Sequence, residues 1–151
     1  MSITKFITFS LVSLLLIASA TTAVHSADPV HHKVAIHVDE NDPARMNMAL
    51  NNVVNVQKYY ESIGDTVEIE LVAYGPGLHM FRSDTSPVKE RISFMALELD
   101  NLTFSACGNT HAAMSKKSGK EIVLIDEANM VPSGVVQLIA LQEQGYAYIR
   151  P

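Results

Sequence analysis

The chain contains a single cysteine among 151 residues, Cys107. One thiol cannot close an internal disulfide, so a disulfide-stapled framework is excluded. There is no Gly-x-Ser-x-Gly elbow, no P-loop and no dinucleotide fingerprint, so serine hydrolysis and nucleotide cofactors have no sequence support and no cofactor is expected. Basic residues are few and scattered, 11 against 16 acidic, for a net charge of −5. Lys116, Lys117 and Lys120 form the only basic group. Phosphate backbones require clustered Lys and Arg, so nucleic acid is excluded as a partner. Long apolar runs are missing too, apart from one at the start.

That run, Ile7 to Ala20, follows Lys5 and leads to small residues ending at Ala27. It has the order of an export signal: a positive start, a short apolar centre and a small-residue cleavage site. It is too short and too weakly flanked for a firm membrane span. No cysteine lies near Ala27, which excludes a lipid anchor on cysteine. The expectation is a bacterial, periplasmic protein with a leader at 1–27, a domain at 28–151 and no stable membrane insertion once the leader is removed.

From His31 the pattern alternates between period two and helical spacing. Val34, Ile36 and Val38 predict a strand. Asp42 and Pro43 predict the cap and first position of a helix carrying Met46, Leu50, Val53 and Val54, stopped near Gly64. Val67 to Ala73 predicts a second strand, broken by Tyr74-Gly75-Pro76-Gly77. A helix follows Ser86-Pro87. Leu102 to Ala106 predicts a third strand, with Cys107 at its end and a helix over Asn109 to Lys117. Glu121 to Ile125 predicts a fourth strand, Val135 to Leu141 a helix, and Tyr146 to Ile149 a last strand. This order implies an α/β fold with a mainly parallel five-stranded sheet and helices on both faces, a three-layer sandwich.

In such sheets ligands collect outside the carboxyl ends of the strands. One edge should then gather Asn41, Gly75, Gly77 and His79, and Cys107, Gly108, Asn109 and His111. A thiol at a strand end and helix start meets outward-pointing amides, which favour thiolate. His111, four residues on, and His79, after another strand, would tune it. The polar, glycine-flanked setting predicts an exposed sulfur. A metal site would draw on Cys107, His79 and His111, with copper or zinc suited to that set, but no ligand spacing calls for one.

Four stretches carry a resemblance. They are Lys33 to Val38 with its Asn- and Asp-rich turn, Ala73-Tyr74-Gly75-Pro76-Gly77, Ala106-Cys107-Gly108-Asn109-Thr110, and Val131-Pro132-Ser133-Gly134-Val135-Val136 running on to Leu141 through Tyr148. With these the chain resembles the DsrE/DsrF-like family, in its exported branch and with the YchN-like fold. The resemblance implies a parallel-sheet sandwich assembling into homotrimers or hexamers. In the sulfur-relay members a cysteine after a central strand carries sulfur as persulfide, and Cys107 matches it by position. The segment after Cys107 departs from the arginine-containing helix of those members. The implied function is a periplasmic sulfur carrier or sulfurtransferase serving sulfur transfer or oxidation. Its partners would be donor and acceptor thiol proteins or small sulfur compounds. Two alternatives stand beside it: a non-enzymatic oligomeric module binding a small ligand or metal ion at the Cys107/His111 edge, and a redox thiol passing through sulfenic acid to an external resolving thiol.

Overall fold

The computed structural model describes residues 28–151, and the expected leader lies outside them. Five strands form one sheet: β1 (His31–Val38), β2 (Thr66–Ala73), β3 (Leu102–Cys107), β4 (Ala128–Val131) and β5 (Ala147–Ile149). Their order is β4-β3-β2-β1-β5, and every pairing is parallel. The helices are α1 (Pro43–Ser62), α2 (Lys89–Glu98), α3 (Gly108–Ser118) and α4 (Gly134–Glu143), with a 3-10 helix over Gly75–Phe81. This is the α/β sandwich read from the sequence.

Local chemistry explains the first helix. The Asp42 carboxylate accepts the Ala44 amide at 2.9 Å, and Pro43 supplies a preset φ at the first turn. Met46, Ala49, Leu50 and Val53 then repeat on one buried face. They meet Val34, Ile36 and Val38 of β1 and Ile69 and Leu71 of β2 in the larger apolar cluster. Ile92 and Met95 of α2 complete it, and Phe81 meets Phe104 edge to face at 5.9 Å.

The opposite sheet face is thinner and more polar. Leu138 and Leu141 of α4 pack on Ala35, Val72 and Tyr146. Among them three polar side chains are buried: His37, Glu70 and Ser105. The Ser105 hydroxyl donates to Glu70 Oε1 at 2.5 Å, and the Gln137 amide donates to the same oxygen at 2.8 Å. A buried carboxylate left without donors would be costly, so these bonds both hold α4 and satisfy the charge.

One element differs from expectation. The fourth strand is Ala128–Val131, not Glu121 to Ile125. The earlier segment is a strap closing the larger cluster. It makes a single antiparallel bridge, Arg82 with Leu124, fixed by the Ser83 amide to the Val123 carbonyl and the Ile125 amide to the Phe81 carbonyl. Ile122 and Ile125 are buried by that strap rather than by a sheet ladder. Among the described residues no helix is long and apolar enough to cross a membrane.

Candidate functional site

The carboxyl ends of β1, β2, β3 and β4 deliver Asp39, Tyr74, Cys107 and Pro132 to one edge. Cys107 ends β3 and caps α3 with extended backbone, φ −69° and ψ 115°. Its side chain follows Ser105 onto the thinner face. The sulfur is closed in, correcting the expectation of an exposed thiol: Cys107 is 4% exposed.

Burial alone pushes a thiol's pKa up, because it penalises the charged form. Here hydrogen bonding outweighs it, and the Cys107 pKa lies below the ordinary value. The Thr110 hydroxyl contributes most, followed by the backbone amides of Gly134, Thr110 and Asn109. The hydroxyl's direction is fixed from behind. Thr110 Oγ1 accepts the Gly75 amide at 2.9 Å, which leaves its proton for the sulfur. Two of the amides open α3, where unpaired N–H groups and the helix dipole favour an anion. The third arrives from the start of α4. A β-carbon on Gly134 would stand 2.9 Å from Tyr74 Cβ and 3.2 Å from Cys107 Cβ, so only glycine lets this amide come so near. The Asn109 amide also reaches the Pro132 carbonyl at 3.3 Å, which ties the two helix starts together.

Behind Cys107 lies an aromatic group. Tyr74 stacks on His37 with ring centroids 4.4 Å apart. His37 Nδ1 and the Tyr148 hydroxyl share a hydrogen bond of 2.8 Å, while His37 Nε2 is buried without a protein partner. Burial lowers the His37 pKa, opposed by Asp39, so the ring is neutral near pH 7. Burial, then Asp39 and Tyr148, raise that of Tyr74. Arg150 closes this end with paired bonds to Asp39, both 3.0 Å.

On the other side of Thr110 runs a groove of about 820 Å³. Asn41, Gly75, His79 and Asn109, four of the residues expected at the edge, all line it. Gly77 and Gly108 instead permit close backbone approach. A β-carbon would fall 2.2 Å from the Val38 carbonyl at Gly77, and 3.1 Å from the Val131 carbonyl at Gly108. His111 commits its Nε2 to the Ile122 carbonyl at 2.6 Å. Among the described residues no group of three or more His, Cys, Asp or Glu side chains is placed to hold a metal ion. Sequence reasoning did not single out Thr110, Tyr74, His37 or Gly134. The one available signal was His37, a polar residue within the otherwise apolar run Val34 to Val38.

The comparisons agree with this fold. The profile of the DsrE/DsrF-like family matches residues 32–151. A solved structure titled as a protein of unknown function, MTH1491 from Methanobacterium thermoautotrophicum, is similar at 34% identity. It covers 80% of this chain and 99% of its own, with a TM-score of 0.68. No curated protein matches.

Proposed function

Because the chain belongs to the DsrE/DsrF-like family, related to sulfur-relay proteins, we propose that Cys107 is a persulfide carrier. The observation that carries this is the convergence of four donors on the only sulfur nucleophile in the chain, strong enough to lower its pKa despite burial. In the loading step the Cys107 thiolate attacks the outer sulfur of a sulfane donor. The donor's sulfur–sulfur bond breaks, its remainder leaves as thiolate or sulfite, and Cys107 keeps the outer sulfur as persulfide. An acceptor thiolate then attacks that outer sulfur and returns Cys107 to thiolate. No external oxidant enters either step. The same donors stabilise the thiolate as nucleophile and as leaving group. A sulfur so closed in admits a slender sulfane chain more readily than a bulky electrophile.

Intact-mass measurement after incubation with inorganic polysulfide tests the reading. Wild type is expected to gain the mass of one sulfur atom, removable by dithiothreitol, and Cys107→Ser is expected to gain none. A wild-type chain that stays unmodified, under conditions that load an established carrier, contradicts it.

Self-association into trimers or hexamers is part of the proposal. Its support is the outer face of α4, where Val135, Val136 and Ile139 are each at least half exposed. Val136→Glu should shift the light-scattering mass toward monomer, and an assembly indifferent to that change would remove α4 from the interface. Periplasmic export rests on the Met1–Ala27 pattern. It predicts that chain recovered from a periplasmic fraction begins near Asp28, and an intact Met1 there would refute cleavage.

A further inference from the structure

The groove beside Thr110 is long, and its ends differ chemically. One wall is a stripe of α3: Asn109, Thr110, Ala113, Met114, Lys117 and Ser118. These positions recur at intervals of four along one helix face. The facing wall is the 3-10 helix, through Gly75, Pro76 and His79, with Arg82 beyond it. From Asn109 to Lys117 the helix rises about 12 Å. At one end Thr110, whose hydroxyl faces the Cys107 sulfur, stands between that sulfur and the groove; the middle is Ala113, Met114 and Pro76, and the far end is the Lys117 ammonium.

No carboxylate side chain lines the groove. Arg82 is spent on Asp84, with two bonds of 2.9 and 2.7 Å. Burial, then Arg82, lowers the His79 pKa, so His79 offers a neutral hydrogen-bonding ring. No ion pair among the described residues holds Lys117. The wall therefore presents one uncommitted positive charge, far from the thiol. The amides that could cradle a phosphate are already used: those of Asn109 and Thr110 on the sulfur, that of Gly75 on Thr110. This disfavours nucleotides and phosphate esters and leaves a carboxylate as the fitting anion.

The geometry points to this groove as the binding site for a peptide-sized thiol bearing a carboxylate, whose persulfide form is the sulfur donor. The donor role rests on the carrier reading above, while the binding does not. Three extended residues span about 10 Å, enough to lay a carboxylate at Lys117 with the sulfur-bearing arm at Thr110. A single amino acid or thiosulfate is too short to engage both ends. The ligand's methylenes lie along Met114 and Ala113, and Asn41 and Asn109 take its amides. In the reaction the Cys107 thiolate attacks the outer sulfur of R–S–SH. The sulfur–sulfur bond breaks, R–S⁻ leaves, and Cys107 retains S–SH. The departing thiol is the molecule the groove fits, so the reduced form also binds.

Calorimetric titration of the chain with S-methylglutathione, which has the carboxylates but no reactive sulfur, tests the site. Saturable binding is expected, at least ten-fold weaker in Lys117→Glu and for the dimethyl ester, and unchanged in Lys116→Glu, whose side chain lies off the groove. No saturable binding to wild type, or equal binding to Lys117→Glu, overturns the proposal. Inorganic polysulfide loading in parallel separates the two ideas. Loading without S-methylglutathione binding removes the groove and leaves the carrier. Binding that depends on Lys117 without any loading leaves the groove and removes the donor role.

Discussion

Replacing Thr110 with valine raises the Cys107 pKa and slows its reaction with alkylating reagents near pH 7 roughly ten-fold. The hydroxyl is the largest of the donors that oppose burial. A hydrogen bond to a charged acceptor is worth about 1.5–3 kcal/mol, and one pKa unit corresponds to about 1.4 kcal/mol. Sulfur is a soft acceptor and three amides remain, so the lower end applies. Valine keeps the shape of threonine, which confines the change to the lost proton and to the Gly75 amide left without its acceptor. Thr110→Ser restores the hydroxyl and should restore the rate. The stability consequence has a definite sign. A thiol whose folded pKa is depressed stabilises the fold above its unfolded pKa, and that contribution is lost as the pH falls through the folded value. Wild type should therefore gain over Thr110→Val as the pH rises toward about 8.5, near the thiol's unfolded value, and lose the gain in acid.

Gly77→Ala is expected to be the most damaging single change to the fold. Its β-carbon would sit 2.2 Å from the Val38 carbonyl oxygen, 2.6 Å from the Val38 carbonyl carbon and 2.8 Å from the Asp39 nitrogen. All three are backbone atoms. β1 is held on both sides by β2 and β5, so Val38 cannot retreat without breaking a ladder. Overpacking against fixed backbone places the loss at about 3 kcal/mol or more, a large part of an ordinary domain's stability. The urea midpoint measures it. Gly64→Ala is the control, since its φ of +83° carries strain but nothing lies within 4 Å. It should cost about 1 kcal/mol. A Gly77→Ala midpoint no lower than that of Gly64→Ala would mean that the 3-10 helix yields freely.

The strands and helices were legible where local chemistry decides them. The Asp42-Pro43 cap, the two-residue period of Val34 to Val38 and the Gly75-Pro76-Gly77 break are nearest-neighbour signals, and each element appears as expected. The fourth strand was not legible, because apolar content reports burial rather than hydrogen-bond partner. Ile122 and Ile125 are buried as expected, yet by a strap, while the ladder to β3 uses the half-exposed segment Ala128–Val131. The site divides in the same way. A lone cysteine between a strand and a helix start was readable, and Asn41, Gly75, His79 and Asn109 do share one groove, but Cys107 is not among the residues that line it. Its burial was not. Gly108, Asn109 and Thr110 look like residues of an open turn, but two of them turn donors inward to a buried sulfur. The amide of Gly134 and the ring of Tyr74 come from distant elements, and no local pattern places them beside Cys107.

The rate of Cys107 alkylation as a function of pH, in the native assembly, tests the central claim most directly. A sulfur whose thiolate form is favoured by Thr110 and three amides predicts an inflection below the free-thiol value of about 8.5, moving upward in Thr110→Val. An inflection at or above that value, or one that Thr110→Val leaves in place, would contradict it.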